Sequence, residues 1–492
     1  MVVGNTVLII WPFVMVILFV KLDRPKAITA SLLLGYLFLP ETLYFDLPMV
    51  PTLNKHTIPA ISALLFVLIS AKRFTGKSLP GWLPKAFLPR LLLTILLISA
   101  FLTVMTNRDP LVFGPVFLQA LRPYDAFSVT LGLLVSLIPF LLARKFLAFP
   151  EQQRMLMLSF VIAGFVYSFL ALFEVRMSPQ LNFMIYGFFP HSFEQHIRPG
   201  GFRPLVFLHH GLWLAIFFSV TILAAFSLSR TVNANERAKY LAVGLWLLLT
   251  LSLSNSLGAL VIAVVLLPIA LLFGPRTQLY LCAVLALIIL VYPALRAVGM
   301  VPVDAILSWA EGVSPYRAQS LEFRLTNEEQ LLSRALERPF FGWGGFGRNM
   351  VFDEFGVERS ITDGHWIIVV GEGGWARYLA EFGLLCMPAV VAAFAYHKSR
   401  FGFETTGLML MLVANLIDLI PNASITPVTW LVVGSIWGRI ELGRVSEVEE
   451  KQLTRPKIRT GPVYTRFGGT VAGKISPDNA PTNDRYARRP SA

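Results

Sequence analysis

Two stretches of this sequence gather side chains able to hold an anion and to move a proton. Residues 191–210, HSFEQHIRPGGFRPLVFLHH, contain Arg198, Arg203 and four histidines. Residues 322–377 contain Arg324, Asp363, His365, Glu372 and Arg377. Arginine stays charged and offers a planar fork that fits phosphate or carboxylate oxygens. Histidine, with an ordinary pKa near ~6.5, exchanges its proton close to neutral pH. Between these groups, FFGWGGFGR sets Gly342, Gly344, Gly345 and Gly347 within six residues. Such a run permits tight turns and close approach of backbone to a ligand. It is not a nucleotide P-loop, because no Gly-Lys-Ser/Thr follows and no strand precedes it. Gly76-Lys77-Ser78 lacks the earlier glycine of that motif, with Ala71 in its place.

Each of these groups has a plainer reading beside the chemical one. Arg198 and Arg203 also suit lipid headgroups or Glu194, and Arg324 is spaced to pair with Glu328 on a helix. His365 beside Trp366 fits an interfacial pair. His191, His196, His209 and His210 have no Cys or carboxylate at metal-ligand spacing, so no metal site is assigned. The glycines also fit a simple inter-helix loop.

The elements that position these side chains are set by composition. The chain has 492 residues, 55% hydrophobic and 14% charged, with mean hydropathy +0.65. An average soluble domain is about 25% charged, and disorder requires low hydrophobicity, so both classes are excluded. Cys282 and Cys386 lie inside apolar runs, which leaves no disulfide framework. Thirteen apolar runs of span length occur near 4–20, 27–45, 57–71, 87–106, 125–143, 155–174, 205–228, 239–254, 256–274, 278–299, 376–396, 404–420 and 425–441. The expected fold is an all-α polytopic membrane protein with about 12–14 transmembrane helices and one large periplasmic loop containing short helices.

Charge gives the orientation. Lys21, Arg24 and Lys26, then Lys72, Arg73, Lys77, Lys85 and Arg90, then Arg144, Lys145 and Arg154 lie in alternate connections. Arg230, Arg237 and Lys239, then Arg276, then Lys398 and Arg400 continue the series. The long loop 300–365 has six Arg, ten acids and no Lys. By the positive-inside rule the Lys-rich connections are cytoplasmic, and loops 174–204 and 300–365 face outward. This placement also accounts for the net charge of +13 without nucleic acid. Residues 1–441 read as one membrane unit, and 442–492 as a disordered, basic, cytoplasmic tail. Within the long loop, Thr326 and Glu329 have capping-box spacing. They predict a short helix over 327–337, stopped by Pro339, with Arg324 just ahead of it.

These residues resemble the O-antigen ligase and O-antigen polymerase superfamily. Arg198-Pro199-Gly200-Gly201-Phe202 is similar to an arginine–glycine–phenylalanine stretch before a span. Arg324 through Pro339-Phe340-Phe341-Gly342-Trp343-Gly344 resembles an arginine, short helix, proline and Gly-rich turn. His365 through Glu381-Phe382-Gly383-Leu384 resembles a loop-end histidine followed by an apolar helix ending in an acid. Trp366 stands where the family commonly has Asn or a hydroxyl residue, and GEGGW at 371–375 is unusual. The resemblance implies a bacterial inner-membrane glycosyltransferase that moves a glycan from a polyprenyl diphosphate to an acceptor hydroxyl at the periplasmic face. It implies no bound metal or other cofactor. Arg324 with Arg198 or Arg203 would hold the diphosphate, and His365 would be the base. Asp363 or Glu372 would orient that base, with Arg377 in support. The partners would be the lipid-linked donor, a glycan or lipid-core acceptor, and membrane lipids. A transporter or flippase of lipid-linked glycan or another anionic solute is the alternative. Such a protein is expected to show broken helices and charge deep in its spans.

Overall fold

A computed structural model describes residues 2–47, 51–70, 76–198, 200–313, 315–399 and 401–454. Lys72, Arg73, Pro199, Arg400 and most of the expected tail (455–492) lie outside the described residues.

The chain opens with α1 (Val2–Lys21) and α2 (Arg24–Phe38), then a small hairpin of β1 (Tyr44–Phe45) and β2 (Leu53–Asn54). Helices α3 (Thr57–Ile69) and α4 (Phe87–Met105) precede the hairpin of β3 (Leu111–Phe113) and β4 (Val116–Leu118). Next come α5 (Pro123–Ser136), α6 (Ile138–Phe146), α7 (Pro150–Met177) and the short α8 (Leu181–Tyr186). A third hairpin, β5 (Ile197–Arg198) with β6 (Gly201–Phe202), leads into α9 (Gly211–Leu228), α10 (Ala234–Leu253), α11 (Leu257–Leu272) and α12 (Pro275–Ala297). Helices α13 (Val303–Val313) and α14 (Pro315–Leu336) fill much of the long loop. The bundle closes with α15 (His365–Ser399), α16 (Phe403–Asp418) and α17 (Pro427–Thr454).

Among the described residues, strand is confined to these two-stranded hairpins and one isolated bridge, Phe352 with Glu358, and the architecture is all-α. Each apolar run read from the sequence forms helix, and seven described helices are long and apolar enough to cross a membrane. Their apolar side chains reach outward as well as inward. Ile9, Phe13 and Ile17 project from α1 at helical spacing, and Val284 and Ile288 project from α12. Exposed apolar stripes of that extent fit a lipid environment rather than water. The core is centred on α9, which is buried nearly all round against α7, α10, α11 and α16. Helix α15 packs on α4, α12 and α14.

Three of the Lys-rich connections meet one another. Arg24 donates to the Ser70 carbonyl at 2.7 Å, and Lys145 to the Leu79 carbonyl at 2.9 Å. Lys77 pairs with Glu151 at 3.2 Å. Beside them Arg144, fully buried, forks onto both carboxylate oxygens of Glu441 at 2.6 and 2.9 Å.

Two local expectations are corrected. The helix expected over 327–337 starts a dozen residues earlier, as α14 from Pro315. A proline at the first helical position already fixes φ and needs no donor, so Thr326 is interior and Arg324 lies within the helix. At the far terminus, α17 continues to Thr454, past the boundary expected at 441.

Candidate functional site

Helix α15 is broken. Gly374 takes φ 66°, ψ −172°, and separates His365–Gly373 from the longer segment that begins at Trp375. In a straight helix, His365 and Glu381 would stand about 24 Å apart at ~1.5 Å per residue. Instead His365 Nε2 lies 2.8 Å from Glu381 Oε1, so the two segments fold back alongside each other. A break leaves carbonyls bare on one side and N–H groups on the other. The Gly-rich loop covers both. Trp343 N–H donates to the Gly371 carbonyl at 2.9 Å, and Gly344 N–H to that of Glu372 at 2.8 Å. In return Trp375 N–H donates to the Pro339 carbonyl at 2.7 Å, and Ala376 N–H to that of Phe340 at 3.2 Å. Gly342 permits this contact, since a Cβ there would sit 2.5 Å from the Glu372 carbonyl carbon. At Gly342 the close approach is of backbone to backbone.

The fold-back assembles a buried charged network. Arg377 bonds Glu372 at 2.8 Å and Glu381 at 3.3 Å. Residues 372 and 377 are out of register on one continuous helix, and the turn at Gly374 is what joins them. His365 is 7% exposed, stacks on Phe382 and uses Nε2 on Glu381. Its orienting carboxylate is therefore Glu381, not the expected Asp363 or Glu372. A carboxylate on one ring nitrogen fixes the imidazole plane. Trp366 is fully buried, edge-on to Tyr292, rather than at a surface. Asp363 instead faces Arg324, 3.5 Å from its Nε, and Arg324 also reaches the Pro421 carbonyl at 3.4 Å. Burial pushes the Asp363 carboxyl up, against the pull of Arg324. Glu328, the alternative partner for Arg324, bonds the Tyr292 hydroxyl at 3.2 Å.

The other nominated segment is held by α7. Glu174 accepts from the backbone N–H groups of Leu181, Leu205 and Val206 at 2.7–2.9 Å. Lys55 donates to the Phe207 carbonyl at 2.9 Å while paired with Glu41. These anchors fix the β5–β6 hairpin that carries Arg198, with Arg203 just beyond it. Arg203 donates to the Asn255 carbonyl at 3.3 Å. Neither Arg198 nor Arg203 has a carboxylate partner among the described residues, Glu194 included, and the Nε of each is buried without an acceptor. Burial pushes the Arg203 guanidinium down to about 10, and the nearby charges of Arg198 and Arg324 push it the same way. It remains a cation at neutral pH. The three nominated arginines thus share one electrostatic neighbourhood, although their segments are over a hundred residues apart.

His191, His196, His209 and His210 also cluster, with ring centroids 4.8–5.3 Å apart between successive neighbours. Nitrogens of two of them, His196 and His210, serve the backbone, while the Nδ1 of His191 is buried without a partner. His196 Nδ1 meets the Ser192 carbonyl at 3.0 Å, and its Nε2 accepts from Gly211 N–H at 3.4 Å. His210 Nδ1 accepts from Leu212 N–H at 3.1 Å as a helix cap. Burial, then neighbouring cations, lowers His196 to about 4. The same crowding takes His210 down to about 2. No group of metal-ligating side chains is assembled among the described residues.

No protein-family model matches the chain, and no curated protein matches it. Sequence reasoning nominated Arg324, Asp363, His365, Glu372 and Arg377 but missed Glu381 as the partner of His365. It also missed Glu174 as the anchor of the arginine segment. A lone acid inside an apolar helix was the available signal for both.

Proposed function

We propose that this protein transfers a glycan from a polyprenyl-diphosphate carrier to an acceptor hydroxyl, at the outer face of a bacterial cytoplasmic membrane. The observation that carries the reading is the grouping of three arginines, two of them without a carboxylate partner among the described residues. Arg324 links them to the segment bearing His365 through Asp363. The side chains of Arg198 and Arg203 are half-buried, with the Nε of each buried and without an acceptor; an anion supplies the missing acceptor and countercharge, and a diphosphate supplies two adjacent phosphates. In this reaction His365 Nδ1 takes the proton of the acceptor hydroxyl, and that oxygen forms the new bond to the anomeric carbon. The bond from that carbon to the diphosphate oxygen breaks, and the electron pair leaves on the diphosphate. Arg198, Arg203 and Arg324 stabilise the charge that develops there. Attack opposite the leaving group inverts the anomeric centre. In this reading the bundle has 12–14 spans, the Lys-rich end is cytoplasmic and the end bearing the arginines is periplasmic.

One observation favours a second reading, transport of an anionic lipid or solute. Helix α15 is discontinuous and carries Glu372, Arg377 and Glu381 among apolar residues, as transporter helices do. Against it, the bare ends of the break are covered by residues 339–344, and the three charges satisfy one another. The two readings separate on purified protein reconstituted with a lipid-diphosphate-linked oligosaccharide and an acceptor glycan. Transfer releases polyprenyl diphosphate and lengthens the acceptor in detergent, where no compartments exist. Transport gives no product there.

A further inference from the structure

Helix α13 follows the span α12 after five residues, 298–302. Six steps at roughly 3.3–3.6 Å per residue put its start within about 22 Å of the end of that span. At ~100° per residue, Pro302, Ile306, Trp309 and Ala310 fall on one arc, and Asp304, Ser308 and Glu311 fall opposite. Ala310, on one flank of the apolar arc, is buried, and α13 packs against α14. The other flank is uncovered: Trp309 is 73% exposed and Ile306 38%. The connection adds Val298 at 68% and Met300 at 70%, and below it Val284, Ile288 and Val291 of α12 are also exposed. Exposed apolar side chains therefore recur from the side of a span, through the connection, and onto α13.

We infer that α13 is an interfacial helix, lying in the plane of the membrane with Ile306 and Trp309 set among lipid headgroups and upper acyl chains. Continuity with the lipid-facing side of α12 identifies the occupant as the bilayer. Tryptophan at the boundary fits, since its ring is apolar with one polar edge. The acids Asp304 and Glu311 lie on the opposite arc, away from the lipid, and α13 has no Lys or Arg, so apolar burial rather than charge seats it. Since α13 packs on α14, this seating fixes the level at which Arg324 meets a membrane-borne ligand. The inference stands whether that ligand is a glycan donor or not.

The test uses the full chain in nanodiscs of phosphatidylcholine and phosphatidylglycerol. Single spin labels are placed at Ile306→Cys, Trp309→Cys, Asp304→Cys and Ser308→Cys, with Cys282 and Cys386 replaced by Ala. At 306 and 309, collisions with molecular oxygen are expected to exceed those with a water-soluble nickel chelate several-fold. At 304 and 308 the order is expected to reverse. Nickel access at all four positions would overturn the inference by placing α13 in water. Protection of 306 and 309 from both agents would overturn it too, by placing protein on that face, such as a second copy. A label-free control is the difference in fluorescence between wild type and Trp309→Phe. Lipids brominated near the headgroup are expected to quench that difference signal, and absence of quenching counts against the inference.

Discussion

Replacing Gly374 with alanine tests the break in α15, on which the geometry of the site depends. A Cβ at Gly374 would meet the Phe340 carbonyl and lie 2.5 Å from Phe341 N, and these are backbone atoms that cannot rotate away. The conformation at φ 66°, ψ −172°, left essentially to glycine, alone costs an L-residue at least about 1 kcal/mol. Moving residues 339–344 aside also strains four backbone hydrogen bonds, each worth about 1 kcal/mol net. The sum is about 5 kcal/mol. Two neighbours calibrate it. Gly347 has φ 77° but open space around its Cβ, so Gly347→Ala is expected to cost only the conformational ~1–2 kcal/mol. Gly345 has neither positive φ nor a close neighbour, Glu372 Oε1 being 3.7 Å away, so Gly345→Ala is expected to be silent. Unfolding entropy of about 2.1 cal/mol/K per residue over 492 residues makes 1 kcal/mol worth about 1 °C. Melting midpoints in one detergent are therefore expected to fall by about 5 °C, 1–2 °C and 0 °C for 374, 347 and 345. A Gly374→Ala midpoint as high as that of Gly345→Ala would refute the broken-helix geometry.

Glu381→Gln keeps a hydrogen-bonding group beside His365 but removes its charge, and is expected to reduce glycan transfer by about 10²-fold, within the range of general-base effects. Unchanged turnover would remove the dyad from the mechanism. Arg203→Gln is expected to act with opposite signs on stability and function. It relieves cation crowding, so the ligand-free melting midpoint rises, while stabilisation by added pyrophosphate disappears. A lower midpoint would make Arg203 a structural residue. His196 titrates near 4 when folded against an ordinary 6.5, so the unfolded chain takes its proton first. Stability from this site is complete above pH 6.5 and is lost as pH falls toward 4; the melting midpoint of His196→Gln is expected to fall less steeply than that of wild type over this range. At the opposite end, Arg144→Ala strands the buried carboxylate of Glu441 and is expected to cost about 3–5 kcal/mol. The double variant with Glu441→Ala should recover part of that loss in the same melts.

The apolar runs were legible because span length and hydropathy are local properties, and each became helix. What local reading could not give was the tertiary pairing. Residues 372 and 377 look unpaired on any continuous helix, and only the φ of Gly374 brings them together. The unusual GEGG run marked the place without stating its consequence. The start of α14 was missed because Thr326 and Glu329 match a capping pattern that is also compatible with a helix interior. The histidines of 191–210 suggested ligands by number, while the nitrogens of His196 and His210 cap and brace backbone.

The central claim, that the outer end of this bundle transfers a diphosphate-linked glycan, is tested most directly in a host strain lacking the protein. Wild type, Arg324→Ala and His365→Ala are expressed there at matched membrane levels, and surface polysaccharide is resolved on a gel. The account predicts long or ligated glycan from wild type and none from either variant. Wild-type glycan from both variants would contradict it and leave transport as the better reading.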